Sequence, residues 1–194
     1  MIKNLIFDIG GVIIKEIEAK AFAHLNESEQ DELNKIVFYN KRIRELLLGN
    51  VTCQEYKEQL LNENSKYKKE IQDLLDINKQ DIFIPKDEEM ISLLYKIKDK
   101  YNIYFLSNMI DITYEYLKDL LNDFNGGAYS FIEHSRKPDK KFYLSLIDKY
   151  NLKIEESVFF DDKLNNVLVA RELGMQAIEF KSIQDVLNIV EGNN

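Results

Sequence analysis

The sequence predicts an α/β protein: a doubly wound, parallel five-stranded sheet with a small inserted helical cap. Three observations carry that prediction. Apolar runs too short for helices recur along the chain and alternate with amphipathic helical stretches, the pattern of βαβ units. Three of these runs end on polar residues: Asp8, Ser107-Asn108 and Asp161-Asp162. Between the first and second runs lies a long stretch whose apolar spacing is helical throughout.

Taken in order, residues 2–7 are strand one, a near-continuous apolar run suited to a parallel strand buried on both faces. It ends at Asp8, and Gly10-Gly11 then let the backbone turn sharply and approach a ligand. An aspartate after a strand also caps turns, so this stretch alone leaves its role open. Residues 15–85 read as a block of some four helices, with breaks near 26–28, 49–52 and 62–65. Thr52 and Glu55 form a capping-box pattern at the start of one of them. Placed directly after strand one, this block is expected to cap the carboxyl edge of a core made of residues 1–14 and 86–194.

The core resumes after Pro85. Residues 87–100 form an amphipathic helix through Met90, Leu93, Leu94 and Ile97, and residues 103–106 are strand two. A helix with Tyr116, Leu117, Leu120 and Leu121 follows; Gly126-Gly127 reads as a turn and residues 128–132 as strand three. Arg136-Lys137-Pro138-Asp139 opens the next helix, with Pro138 at its first position. Strand four is residues 157–160, and a helix through Val167, Ala170 and Leu173 ends at Gly174, a C-cap. Residues 176–180 are strand five and 182–191 the closing helix.

Bulk properties narrow the function. The 194 residues are 45% hydrophobic and 31% charged, a globular balance. A net charge of −8 argues against broad electrostatic binding to nucleic acid. A small anionic partner remains compatible, because a site's local field can oppose the net charge. The single cysteine, Cys53, rules out an intramolecular disulfide and a cysteine zinc cluster. No stretch reaches the ~18 apolar residues of a membrane span, and the N-terminus lacks a signal-peptide pattern; the expectation is a cytoplasmic protein with no membrane partner.

Right-handed crossovers bring the ends of parallel strands to one edge, where open α/β sheets bind ligands. Asp8, Asp161 and Asp162 would meet there, and like charges so close need a cation or shared protons. Hard carboxylate oxygens with no nearby Cys or His suit Mg²⁺. Lys137, at a helix entry, supplies positive charge, and Ser107 with neighbouring N–H groups supplies neutral donors. Metal, lysine and donors around one carboxylate make a phosphoryl-transfer site, with Asp8 as nucleophile and an aspartyl-phosphate that water hydrolyses.

The motifs Phe-Asp8-Ile-Gly-Gly-Val, Leu-Ser107-Asn, Arg-Lys137-Pro-Asp and Phe-Phe-Asp161-Asp162 resemble, in order, the four motifs of haloacid-dehalogenase-like (HAD) hydrolases. The run from Asn165-Asn166 to Gly174 and the segment Leu48 to Tyr56 are also similar to that family's Rossmann-like core and helical cap. The resemblance implies Asp8 as nucleophile and metal ligand, and the Gly10 carbonyl as a second ligand. It implies Ser107, Asn108 and Lys137 as holders of the phosphate. Asp162, with Asp161 direct or through water, completes the metal site. Most phosphatases of the family carry an acid/base aspartate two residues after the nucleophile. Here that position is Gly10, and such a group contributes about 10²–10⁴-fold.

The Asp-x-Gly first motif resembles a branch that includes phosphatases of glucose 1-phosphate, so the expected partner is a small phosphorylated metabolite, with a sugar phosphate favoured. A good leaving group would need less acid assistance, or Glu16, Glu18 or His24 of the cap would supply it. Gly10 supports one alternative, a non-catalytic or very slow HAD-like protein that binds a phosphometabolite or a protein partner; the presence of every other charged motif residue weighs against it. Asp161-Asp162 weighs against a dehalogenase, and the missing acid/base against a mutase. Phe38, Tyr39, Tyr56 and Tyr67 read as cap core, with one or two facing the cleft.

Overall fold

The computed structural model describes residues 1–15 and 18–192. Strand β1 (Asn4–Phe7) is buried along its whole length. It is followed by a helical insert: α1 (Glu27–Val37), α2 (Ile43–Leu47), α3 (Cys53–Glu63), α4 (Lys68–Leu74) and α5 (Gln80–Phe83). The core then continues through α6 (Glu88–Ile97), β2 (Asn102–Ser107), α7 (Asp111–Asn122), β3 (Gly126–Tyr129) and the short α8 (Ser130–Glu133). It closes with α9 (Lys140–Lys149), β4 (Ser157–Asp161), α10 (Leu164–Glu172), β5 (Gln176–Glu179) and α11 (Ile183–Gly192).

The five strands are parallel in the order β3-β2-β1-β4-β5, so β1 is central. Strand alternation divides its apolar residues between two cores. Leu5 and Phe7 pack with Leu94, Leu117, Leu121 and Val186 on one face. Ile6 packs with Phe142, Tyr143, Leu146 and Val167 on the other. Burial on both faces explains why β1 reads as continuous rather than alternating hydrophobicity. Phe7, the last residue of β1, lies in register with Phe105 of β2 and Phe160 of β4, so β4 runs one residue and β2 two residues further at the same edge.

Two local expectations are corrected. Strand three begins at Gly126-Gly127, not after them, and Phe131 and Ile132 lie in α8. Both glycines are hemmed in: Gly126 by the Tyr150 ring, and Gly127 by the Tyr129 hydroxyl and the Phe105 carbonyl, 2.8 and 2.9 Å from where a Cβ would sit. The Tyr150 hydroxyl accepts from Gly127 N at 3.0 Å, and a Cβ on Gly126 would sit 2.3 Å from that oxygen. Pro138 does not open α9; Asp139 caps it by accepting from Lys141 N at 3.0 Å, and Pro138 stays in the preceding loop.

The insert has its own apolar cluster, including Leu33, Val37, Leu46, Tyr56, Leu60, Tyr67 and Ile71. Its helices begin on reciprocal caps. Thr52 Oγ1 accepts from Glu55 N at 3.2 Å, while Glu55 Oε2 accepts from Thr52 N at 2.7 Å. Asn26 and Glu29 repeat the arrangement at α1. Contacts that tie the insert to the core include three close ones. The Asp111 carboxylate accepts from Cys53 N at 3.0 Å. His134 Nδ1 donates to the Leu48 carbonyl at 2.7 Å. Gly49 packs so tightly on α8 that a Cβ would lie 2.0 Å from the Phe131 carbonyl oxygen. No helix among the described residues is long and apolar enough to cross a membrane.

Candidate active site

The neighbouring ends of β1 and β4 bring Asp8 and Asp161 together with Lys137. Asp8 N donates to the Phe160 carbonyl at 2.8 Å, which continues the β1–β4 ladder by one residue and places Asp8 beside Asp161. Lys137 Nζ lies 2.8 Å from Asp8 Oδ2 and 2.6 Å from Asp161 Oδ2. All three side chains are buried. Such a pair is favourable only when the remaining oxygens are satisfied as well. Here they are: Ile9 N donates to Asp8 Oδ1 at 2.7 Å. Lys163 N and Asn166 Nδ2 donate to Asp161 Oδ1 at 2.8 and 2.9 Å. Asn108 fixes the lysine's backbone from both sides, accepting from Lys137 N at 2.8 Å and donating to Lys137 O at 3.1 Å.

Burial raises the Asp161 carboxyl above its ordinary range, the charge of Asp8 raises it further, and Lys137 opposes both. Asp162 is also raised, chiefly by burial. Three carboxylates thus face one buried ammonium. Two features make the set fit a hard divalent cation. One oxygen from each of Asp8, Asp161 and Asp162 lies within 4.8 Å of the others. Asp162 Oδ1 is buried with no hydrogen-bond partner, the condition of an atom that awaits a ligand. Gly11 makes room for this carboxylate: its φ is +73°, and a Cβ there would lie 2.7 Å from Asp162 Oδ2.

A cavity of about 910 Å³ separates this edge from the insert. Gly10, Ser107, Asn108 and Lys137 line its core side, with Arg136, Lys163 and Asn166. Of the predicted site residues, Gly10 just past β1, Ser107 at the end of β2, Asn108 and Lys137 line this cavity; Asp8, Asp161 and Asp162 cluster beside Lys137 and are not among the lining residues. Asn166 was missed by sequence reasoning; its position five residues after Asp161, on the first turn of the next helix, was the available signal. Of the aromatics read as cap core, Tyr56 and Tyr67 are buried, whereas Phe38 and Tyr39 line the cavity. His24 does not line it; its Nε2 lies 2.9 Å from Glu70 Oε1 within the insert. Glu16 lies outside the described residues, as does the Glu18 side chain. Among the described residues, the cavity lining includes no Asp, Glu or His.

The fold and this strand-end site define a hydrolase class, and comparison agrees. The chain belongs to the haloacid dehalogenase-like hydrolases, whose family model matches residues 2–174. It is similar to a sesquiterpene phosphatase of Aspergillus oryzae, 32% identical over 93 residues; the match covers 46% of this chain and about half (47%) of that relative. A D-ribitol-5-phosphate phosphatase of Bacteroides thetaiotaomicron is 24% identical over 194 residues, with 92% of each chain covered. A crystal structure of a HAD family enzyme from Bacteroides thetaiotaomicron, in complex with magnesium and inorganic phosphate, shares the fold. Its TM-score is 0.76 at 23% identity, over 94% of this chain and 96% of that one.

Proposed function

We propose that the chain is a Mg²⁺-dependent phosphatase that hydrolyses a small phosphorylated metabolite through an aspartyl-phosphate on Asp8. The observation that carries this reading is the buried Lys137 ammonium, 2.8 Å from the Asp8 carboxylate and 2.6 Å from Asp161. It pairs a carboxylate nucleophile with a cation able to hold the phosphate it attacks. The two named relatives being phosphatases supports the reaction class.

Asp8 Oδ attacks phosphorus, the bond from phosphorus to the alcohol oxygen breaks, and the alkoxide takes its proton from water. Water then attacks the phosphorus of the aspartyl-phosphate, which releases inorganic phosphate and restores the carboxylate. Lys137 holds the phosphate oxygens; Asn108 fixes the Lys137 backbone; the Ser107 hydroxyl and adjacent N–H groups complete the cradle. Asp8, the Gly10 carbonyl, Asp162 and Asp161 would hold Mg²⁺, which supplies charge neutralisation at the phosphate when bound. Residues 15–85 serve as the cap that closes the cavity over residues 1–14 and 86–194.

Gly10 favours one second reading, a slow or non-catalytic protein that retains phosphate binding. The Asp-x-Gly first motif on its own points to a sugar phosphate, and a D-ribitol-5-phosphate phosphatase is a relative; the largely apolar insert side of the cavity weighs against it. The test is Mg²⁺-dependent phosphate release from acetyl phosphate and a sugar-phosphate panel, together with capture of BeF₃⁻ on Asp8. Release that is lost in Asp8→Asn supports hydrolysis; equal release by both proteins sinks it. BeF₃⁻ capture without turnover selects the binding reading.

A further inference from the structure

We infer that the substrate is the monophosphate of a largely apolar alcohol, seated with its phosphate at the sheet edge and its hydrocarbon part against the insert. This rests on the phosphatase reading and specifies what that site receives. The cavity is chemically divided. Its charged lining side chains, Arg136, Lys137 and Lys163, all come from the core side and are all cationic. They suit a phosphate and nothing else on the molecule. The insert contributes Phe38, Ile43, Leu47, Leu74, Leu75 and Phe83 to the opposite wall.

Among the described residues, only two lining side chains of the insert, Tyr39 and Gln80, carry a polar group. The Gln80 amide nitrogen is spent on the carbonyls of Leu74 and Asp76, at 3.1 and 3.0 Å. A sugar or polyol needs a partner for each hydroxyl that leaves water, and among the described residues this wall supplies few. Hydrocarbon needs none. The space agrees: about 910 Å³ is at the upper end of the ~300–1,000 Å³ typical of ligand cavities, more than a phosphate with a short polyol would fill. Gly10 fits the same division, because it leaves the floor between the buried Ile9 and Ile14 without a polar side chain.

The experiment compares n-butyl, n-hexyl and n-octyl phosphate with D-ribitol 5-phosphate and glucose 1-phosphate, with Mg²⁺ present and acetyl phosphate as the minimal substrate. The expected result is a kcat/KM that rises roughly fourfold per added methylene until the cavity is filled, and that exceeds both sugar-type substrates at octyl phosphate. Ile43→Gln, on the half-buried α2 wall, is expected to lower the octyl-to-butyl ratio. That ratio is read within one preparation, so partial misfolding cancels. A flat chain-length dependence with acetyl phosphate still hydrolysed overturns the inference and leaves the phosphatase reading standing. Preference for either sugar-type phosphate does the same. No hydrolysis of acetyl phosphate overturns the phosphatase reading, and this inference falls with it.

Discussion

Replacing Lys137 with methionine removes the one buried cation from a site with three carboxylates while keeping most of the side-chain volume. The ammonium lies 2.8 Å from Asp8 and 2.6 Å from Asp161, with all three groups shielded from solvent. Breaking a buried pair costs about 3–5 kcal/mol because it strands the partner charge. For a chain of this size that is a fall in Tm of roughly 6–20 °C. The pH dependence gives the sharper test. Asp161 already has a folded pKa above its ordinary value, and losing Lys137, which opposes that rise, sends it higher. A carboxyl with a raised folded pKa binds protons better folded than unfolded. Stability therefore falls as pH rises from the unfolded value of about 3.9 to the folded one. The deficit of Lys137→Met should be smallest below about pH 4 and full above the folded pKa. Urea unfolding of both proteins in chelator across this range measures it. A deficit no larger than the ~0–1 kcal/mol of an exposed pair, or one that grows in acid, refutes the reasoning.

Mg²⁺ should stabilise the wild-type chain by about 2.7 kcal/mol at a hundredfold excess over its Kd. Asp162→Asn should lose most of that increment in a thermal scan, whereas an unchanged increment would remove Asp162 from the metal site. Gly11→Ala should cost about 1–2 kcal/mol from its left-handed backbone. It should also weaken Mg²⁺ binding measured calorimetrically, because the new Cβ would lie 2.7 Å from Asp162 Oδ2. Gly10→Asp should raise phosphate release by about 10²–10⁴-fold if the missing acid limits the rate; an unchanged rate shows that protonation of the leaving oxygen is not limiting.

The strand ends were legible because chemistry and geometry coincide there. A buried strand must stop on a polar residue when it reaches a ligand edge, so Asp8, Ser107 and Asp161-Asp162 mark both the sheet and the site. Gly126-Gly127 was not legible in the same way. A glycine pair signals a turn on local grounds, and only the packing of Tyr150, Tyr129 and the Phe105 carbonyl against the edge strand explains why glycines lie within it. Lys137-Pro138-Asp139 shows a similar limit: proline suits a first helical position, but the Asp139 side chain caps one residue later. The insert was legible as helices and illegible as a wall. Leu46 and Leu47 are neighbours on α2; the first belongs to the insert's core and the second lines the cavity. Both faces are apolar, so hydrophobic periodicity cannot tell packing from recognition.

That ambiguity has an energetic counterpart in the division of labour between the two layers. The sheet edge holds its charges at fixed positions through Lys137, Asn108, Asn166 and backbone N–H groups, independently of the substrate's remainder. On the inferred apolar substrate, the insert would set selectivity by what it withholds. Each hydroxyl pressed against its apolar wall would lose water without replacement, at about 1–3 kcal/mol. Each methylene placed there instead gains about 0.8 kcal/mol. Exchanging even two hydroxyls for methylenes therefore shifts preference by about 4–8 kcal/mol, far more than any difference in phosphate contacts shared by both substrates. Two changes of sign on this wall, for example polar residues at Ile43 and Leu47, would reverse the preference while leaving Asp8 and Lys137 untouched.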